Sequence, residues 1–384
     1  MKKAYLYRLY PTEEQAALLQ QQLDVAREVY NACLLERREA YRMAGVTLNY
    51  YTQANQLKRI RQDCPDIAAV NFSMLQAICR RAQRAYDTFF RRVKAGQTPG
   101  FPRFKSHLRF NSVTFPSYGN GCNLRDNRLY IQGVGTLKVK LHRPVGGPIK
   151  TVTLKRVGRR WCAVLVCEVA VVPLPATGRA VGIDLGLASF LMTDAGTAVE
   201  HPRPLRAAQA RLRRAQRSLA RKQCGSHRRA KQRRRVARLH EKVANVRRNF
   251  QHQTAHKLVQ AFDFICHEDL AIRNMMRNHS LARSISDAAW SQFIAILAGK
   301  AEGAGRRAIA VNARDTSQTC VCGAPVPKDL SERWHQCPRC GLSLPRDQVS
   351  AKLIKARGLE VLARTMGLGS SPQVVTWPVG ACVA

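Results

Sequence analysis

Four cysteines stand in two close pairs in the stretch TCVCGAPVPKDLSERWHQCPRCG. Val321 alone separates Cys320 from Cys322, whereas Cys337 and Cys340 stand in C-P-x-C-G form; Gly323 and Gly341 follow the two pairs. Four thiolates so placed suit a closed, tetrahedral, structural Zn²⁺ site. A disulfide or free-thiol reading stands beside it. The nine other cysteines are scattered singly, as at Cys33, Cys79, Cys162 and Cys266. They read as small apolar core residues in a reducing compartment, which favours metal over disulfide at the paired ones.

Acidic residues are scarce, 25 against 64 Lys and Arg, so their placement is informative. RAVGIDLGLASFLMTDAG reads as strand, tight turn, strand, with Asp184 ending the first strand between Gly182 and Gly186. FDFICHEDLAI is an apolar strand that ends in Glu268 and Asp269, and RAIAVNARDTSQ holds a third strand. In LPRDQVSAKLIKARGLEVL, Asp347 opens an amphipathic helix. Two acids at strand ends and one at a helix start could together hold two Mg²⁺ ions, which prefer oxygen ligands. Such a pair hydrolyses phosphodiesters by activating water and stabilising the leaving oxygen. Each acid also has an ordinary alternative. Asp347 could be an N-terminal helix acid, Asp184 could cap its turn, and Glu268 could pair with an arginine. Asp194, on the turn after the second strand, reads as an ordinary surface acid.

The elements around these residues are strongly basic. The formal charge is +39 over 384 residues. That length allows roughly two or three domains with sizeable cores. A compact fold with this charge repels itself unless a polyanion shares the load, and nucleic acid is the natural partner. No long apolar span and no signal peptide are seen, so the expectation is a cytoplasmic protein with no membrane partner. Residues 4–10 alternate as a strand, and Thr12 with Gln15 forms a capping box for an amphipathic helix carrying Leu19, Leu23, Ala26, Tyr30 and Cys33. A second helix over about 70–95 has Leu75, Ala82, Tyr86 and Phe89 on its core face. Its other face carries Arg80, Arg81, Arg84, Arg91 and Arg92, which suits either solvent or phosphate. GQTPGFPRFKS, with Arg103 and Lys105, could stack bases and hold phosphates or be an ordinary anchored turn. From about 125 to 172 the pattern is β, and a small barrel with one basic face is expected. Residues 204–260 carry two heptad-like stripes broken at Gly225 and Ser226, an antiparallel helical hairpin with Arg228, Arg229, Arg233 and Arg234 near its tip.

In combination, these stretches resemble TnpB, the OrfB-type protein of bacterial insertion sequences and the apparent ancestor of the type V CRISPR effectors. GIDLGLASFLMTDAG resembles the family's first RuvC-like motif, which implies Asp184 as a metal ligand. HEDL resembles the second and implies Glu268. TSQTC…CPRCG resembles the zinc-binding insertion, followed directly by the third motif with Asp347. PGFPRFKS resembles a segment of the N-terminal half. The order and spacing cover nearly the whole chain. Two departures stand out: PRDQVSA has Pro345 and Val349 where the family usually has Asp and Asn, and the first cysteine pair has one intervening residue instead of two.

The resemblance implies an α+β multidomain fold. An RNase H-like (RuvC-like) nuclease domain would span 176–314 and 345–365, with a helical insertion at 204–260 and a zinc ribbon at 315–344. A wedge β-barrel would take 1–11 and 119–175, a helical recognition domain 12–118 and a flexible tail 366–384. The implied activity is Mg²⁺-dependent, RNA-guided DNA cleavage next to a short flanking motif. Its partners would be a guide RNA from the transposon end, one protein per guide, and double-stranded target DNA in the bacterial nucleoid. The alternatives are a nuclease-dead RNA-guided repressor and a miniature type V CRISPR effector. A strand transposase acting by itself fits the resemblance less well.

Overall fold

The computed structural model describes residues 1–329 and 331–365; the tail expected at 366–384 lies outside them. The chain divides into two compact units, Met1–Ala170 and Val171–Ala384.

The first unit opens with strand β1 (Lys2–Tyr10), which buries Tyr5, Tyr7 and Leu9 by simple alternation. Helix α1 (Glu13–Ala44) starts from the expected capping box. Thr12 Oγ1 accepts from the Gln15 amide, and Gln15 Oε1 accepts from the Thr12 amide. Leu19, Leu23, Ala26, Tyr30 and Cys33 are all buried along it. Helices α2 (Tyr50–Asp63), α3 (Pro65–Ala68) and α4 (Phe72–Lys94) follow, and α4 buries Leu75, Ala82 and Tyr86 while Phe89 is half-buried. The remaining strands are β2 (Ser112–Phe115), β3 (Cys122–Arg125), β4 (Arg128–Ile131), β5 (Gly135–Lys140), β6 (Ile149–Val157) and β7 (Arg160–Glu168). With β1 they make one seven-stranded antiparallel sheet in the order β2-β6-β7-β1-β5-β4-β3. The end strands β2 and β3 are not paired with each other, so the hydrogen-bonded ladder is open where a closed barrel was expected. Helix α4 packs on β2, and Arg81 donates to the Ser112 carbonyl at 3.0 Å, which shields that edge.

The second unit is built on strands β8 (Ala180–Asp184), β9 (Leu191–Thr193) and β10 (Ala198–Val199), helices α5 (Pro204–Ala220) and α6 (His227–Ala261), and strand β11 (Phe264–Asp269). After these come α7 (Ile272–Met275), α8 (Ala282–Ala288), α9 (Trp290–Gly303), β12 (Arg307–Asn312), β13 (Trp334–Gln336), β14 (Ser343–Pro345) and α10 (Arg346–Thr365). The five-stranded sheet has the order β10-β9-β8-β11-β12, with β8, β11 and β12 parallel. Val181, Ile183 and Ile265 share a core with Ala255 and Leu258 of α6 and Phe293 and Leu297 of α9. On the other side Cys266, Ile309 and Val311 pack with Ile354 and Leu362 of α10. Helices α5 and α6 pair as the expected hairpin. Ser226 caps α6 by accepting from the Arg229 amide, and Gln232 donates to the Ala215 carbonyl at 2.9 Å. Among the described residues, no helix is long and apolar enough to cross a membrane.

Candidate active site and metal centre

Strand alternation brings the carboxylates together. Gly182 of β8 and Cys266 of β11 are partners in the parallel register, and both face α10. A Cβ at Gly182 would overlap the Ala351 carbonyl, and one at Gly358 would overlap the Cys266 sulfur, so both glycines let α10 lie directly on the sheet. Two residues further along each strand, on the same face, are Asp184 and Glu268. Asp347 stands in the first turn of α10, and its Oδ2 is among the nearest atoms to the position a Gly186 side chain would take. Three carboxylates distant in sequence thus converge at the C-terminal ends of parallel strands and the start of a helix.

The electrostatics are those of a crowded anionic site. Burial raises the Asp184 carboxyl to about 8, and the charges of Glu268 and Asp347 add to the rise, while Arg346 opposes it. Burial also raises Glu268, opposed by the Thr316 hydroxyl and by Arg357. Glu268 is only 7% exposed, and Thr316 Oγ1 donates to its carboxylate while also reaching the Ala313 carbonyl. Arg346 Nε lies 3.6 Å from Asp347. Sequence reasoning gave no role to Thr316, Arg346 or Arg357. Thr316 was present in the quoted TSQTC stretch, but nothing in its spacing pointed to an acid 48 positions earlier.

Asp194 corrects its sequence reading. Its carboxylate accepts from Lys355 Nζ at 2.8 Å and from the Gly182 amide at 3.2 Å, and its side chain is 15% exposed. It ties the turn after β9 to β8 and α10.

The four cysteines come together as a second centre. All their sulfurs lie within 4.8 Å of one another, with Cys320 to Cys340 and Cys322 to Cys337 each 3.7 Å apart. A tetrahedral ion with sulfur at about 2.3 Å requires S···S edges of about 3.8 Å, which these match. The backbone amides of Cys340 and Arg339 donate to Cys337 and lower its thiol to about 6, favouring the thiolate that a metal needs. The one-residue spacing of Cys320 and Cys322 does not prevent the cluster from closing. The ribbon also holds the carboxylate helix. Strand β14 pairs with β13 and runs directly into α10, the Arg346 amide donates to the Arg333 carbonyl at 2.8 Å, and its guanidinium reaches the Asp329 carbonyl at 3.2 Å. Asp347 is the next residue.

The basic residues divide. Arg81 is half-buried over the Phe110 ring and bonded to Ser112, and Arg229 donates to the Lys222 carbonyl at 2.7 Å beyond the end of α5, so both serve the fold. Arg80, Arg84, Arg103, Arg228, Arg233 and Arg234 are exposed. Lys105 is half-buried, with its backbone held by the Asn31 amide group.

Residues 164–279 match the OrfB family described as "Probable transposase". Residues 290–354 match "Cas12f1-like, TNB domain" and 1–45 match "Helix-turn-helix domain", the latter over a stretch that here forms β1 and α1. A Streptomyces pristinaespiralis protein named "Putative RNA-guided DNA endonuclease" is 34% identical over 383 residues, 97% of this chain and 93% of that one. InsQ of Escherichia coli strain K12, under the same designation, is 28% identical over 94% of this chain and 93% of its own. A solved structure, "Structure of the mini-RNA-guided endonuclease CRISPR-Cas_phi3", superposes with a TM-score of 0.49 at 9% identity, covering 93% of this chain and 92% of that one. The chain belongs to the OrfB (TnpB-like) family of insertion-sequence proteins.

Proposed function

We propose that this protein is an RNA-guided DNA endonuclease encoded by an insertion sequence, which cleaves DNA next to a short flanking motif. The observation that carries the reading is the convergence of Asp184, Glu268 and Asp347, in which Glu268 and Asp347 add to the raised Asp184 carboxyl, in a chain whose relatives, matched over 93% of their length, bear that designation. Asp184, Glu268 and Asp347 would hold two Mg²⁺ ions, which when bound supply an activated water and stabilise the leaving oxygen. Thr316 orients the Glu268 carboxylate by its hydroxyl, and the Arg346 guanidinium beside Asp347 offsets the excess negative charge. Cys320, Cys322, Cys337 and Cys340 would hold one structural Zn²⁺, which fixes the ribbon from which α10 starts.

In this reading 1–11 and 119–175 form the wedge domain and 12–118 the recognition domain. The nuclease domain takes 176–314 and 345–365, and 315–344 is the zinc ribbon. Exposed Arg80, Arg84, Arg103, Arg228, Arg233 and Arg234, together with Lys105, contact phosphate, while base pairing with one guide RNA per protein reads the sequence. The test is to purify the protein from cells carrying its gene and flanking DNA, sequence the RNA that accompanies it, and supply plasmids matching that RNA. Cleavage of matched plasmid in Mg²⁺ alone supports the reading. Matched binding without cleavage assigns the protein to the repressor alternative.

A further inference from the structure

The loop after α4 carries aromatic rings that the first unit's core does not absorb. Phe101 and Phe104 are 50% and 48% exposed, and Phe90 beside them is 51% exposed. Their placement is fixed. Phe101 meets Phe89 and Tyr86 edge-on, at centroid distances of 5.3 and 5.7 Å, and the Arg38 guanidinium lies 5.4 Å from the Phe104 ring centre. The backbone beneath them is pinned, because the Lys105 amide donates to Asn31 Oδ1 at 2.8 Å and Asn31 Nδ2 donates to the Lys105 carbonyl at 3.0 Å. Exposed Arg103 lies between the two rings in the chain, exposed Arg91, Arg92 and Lys94 end α4, the helix whose Tyr86 and Phe89 carry Phe101, and no carboxylate among the described residues forms an ion pair with any of these four.

We propose that this ledge, Phe101 and Phe104 with Arg38 and Arg103 beside them and the basic end of α4 next to it in the chain, is a stacking platform for unpaired nucleotides of the bound RNA. The proposal rests on the nucleic-acid reading above and adds a residue-level contact to it. An apolar protein partner would gain the rings but strand four cations. A duplex would satisfy the cations but hide its base faces. An unpaired strand offers a π-face and a phosphate at every residue, matching both halves of the surface. RNA is the single strand such a protein carries persistently, whereas a DNA single strand exists only while target is open.

The experiment uses the full chain and a 15-residue oligouridylate containing 4-thiouridine, irradiated and digested to locate the adducts. The expected result is an adduct within residues 95–105 that an equal-length DNA duplex in equimolar amount does not displace. Phe101→Ala with Phe104→Ala should reduce that adduct on the order of tenfold or more, relative to adducts elsewhere in the same chain. Phe101→Trp with Phe104→Trp should keep it. Both rings are half-exposed, so an unchanged melting temperature checks that the double variant is folded. Adducts elsewhere but none at 95–105 overturn the ledge and leave the proposed function standing. So does an adduct formed by 4-thiothymidine oligothymidylate but not by the RNA. The complete absence of adducts overturns the nucleic-acid reading and the ledge with it.

Discussion

The four sulfurs between residues 320 and 340 come from one short ribbon, while the three carboxylates come from residues 184, 268 and 347, on two strands and a helix. Two sulfur pairs already stand at the edge length of a tetrahedron with all four sulfurs within 4.8 Å, two of the four cysteines are buried, and backbone amides stabilise the Cys337 thiolate. The carboxylates are the reverse. Burial and mutual repulsion push Asp184 to about 8, so the centre is electrostatically unfavourable until a cation shares it. A closed soft-ligand site suits an ion that stays, and a strained hard-ligand site suits ions that arrive with substrate and do chemistry. The two are linked through Arg346, whose backbone is held by the ribbon and whose neighbour is Asp347.

That contrast can be broken most severely at the carboxylates. Asp184→Asn and Glu268→Gln should each lower guided cleavage by at least about 10³-fold, more than the loss of a single transition-state hydrogen-bond donor, with RNA binding retained. Gel-resolved plasmid cleavage beside RNA co-purification measures both. An exposed acid such as Asp66 serves as the control, because Asp194 is bonded to Lys355 and Gly182.

Next in size is the ribbon. Cys322→Ser should lower zinc content from about one ion per chain and expose 315–344 to proteolysis, since structural zinc supplies folding energy directly. Metal analysis and limited proteolysis report this; an equal zinc content would mean that other residues hold the ion. Thr316→Val should weaken Mg²⁺-dependent cleavage by roughly 10- to 100-fold, as outer partners of metal ligands do. Thr316→Ser, which keeps the hydroxyl, should restore most of it, and a Mg²⁺ titration separates a shifted midpoint from a lost plateau.

The smallest effect is on stability. Asp184 has a folded value of about 8 against an ordinary 3.8, so the folded state binds more protons than the unfolded state between those limits. Its contribution to stability is therefore present below about pH 4 and is lost as pH rises through 8. Metal-free protein should melt at progressively lower temperature across that window. Asp184→Asn should flatten the trend, and Mg²⁺ should offset it in the wild type.

Much of this was legible in single stretches of sequence. Asp184 and Glu268 each end an apolar strand, and period-two alternation puts both on one face once Gly182 and Cys266 are paired. The capping box at Thr12 and the break at Gly225 are local, and both formed where expected. What was hidden depends on contacts across long stretches of chain. Asp194 meets Lys355 at a separation of 161 residues, and β1 lies between β5 and β7 because its partners are 161–168 and 138–140. The open edge at β2 depends on α4 covering it, which strand patterns alone do not encode.

The central claim is that three carboxylates from separate elements form one cleaving centre, and Asp347 is its most exposed point because Pro345 and Val349 replace the residues usual in the family motif. The direct measurement is guided plasmid cleavage by Asp347→Ala, run beside guided binding to the same target. The account predicts that binding persists and cleavage disappears. Cleavage at the wild-type rate would contradict it and would require another acid to complete the site.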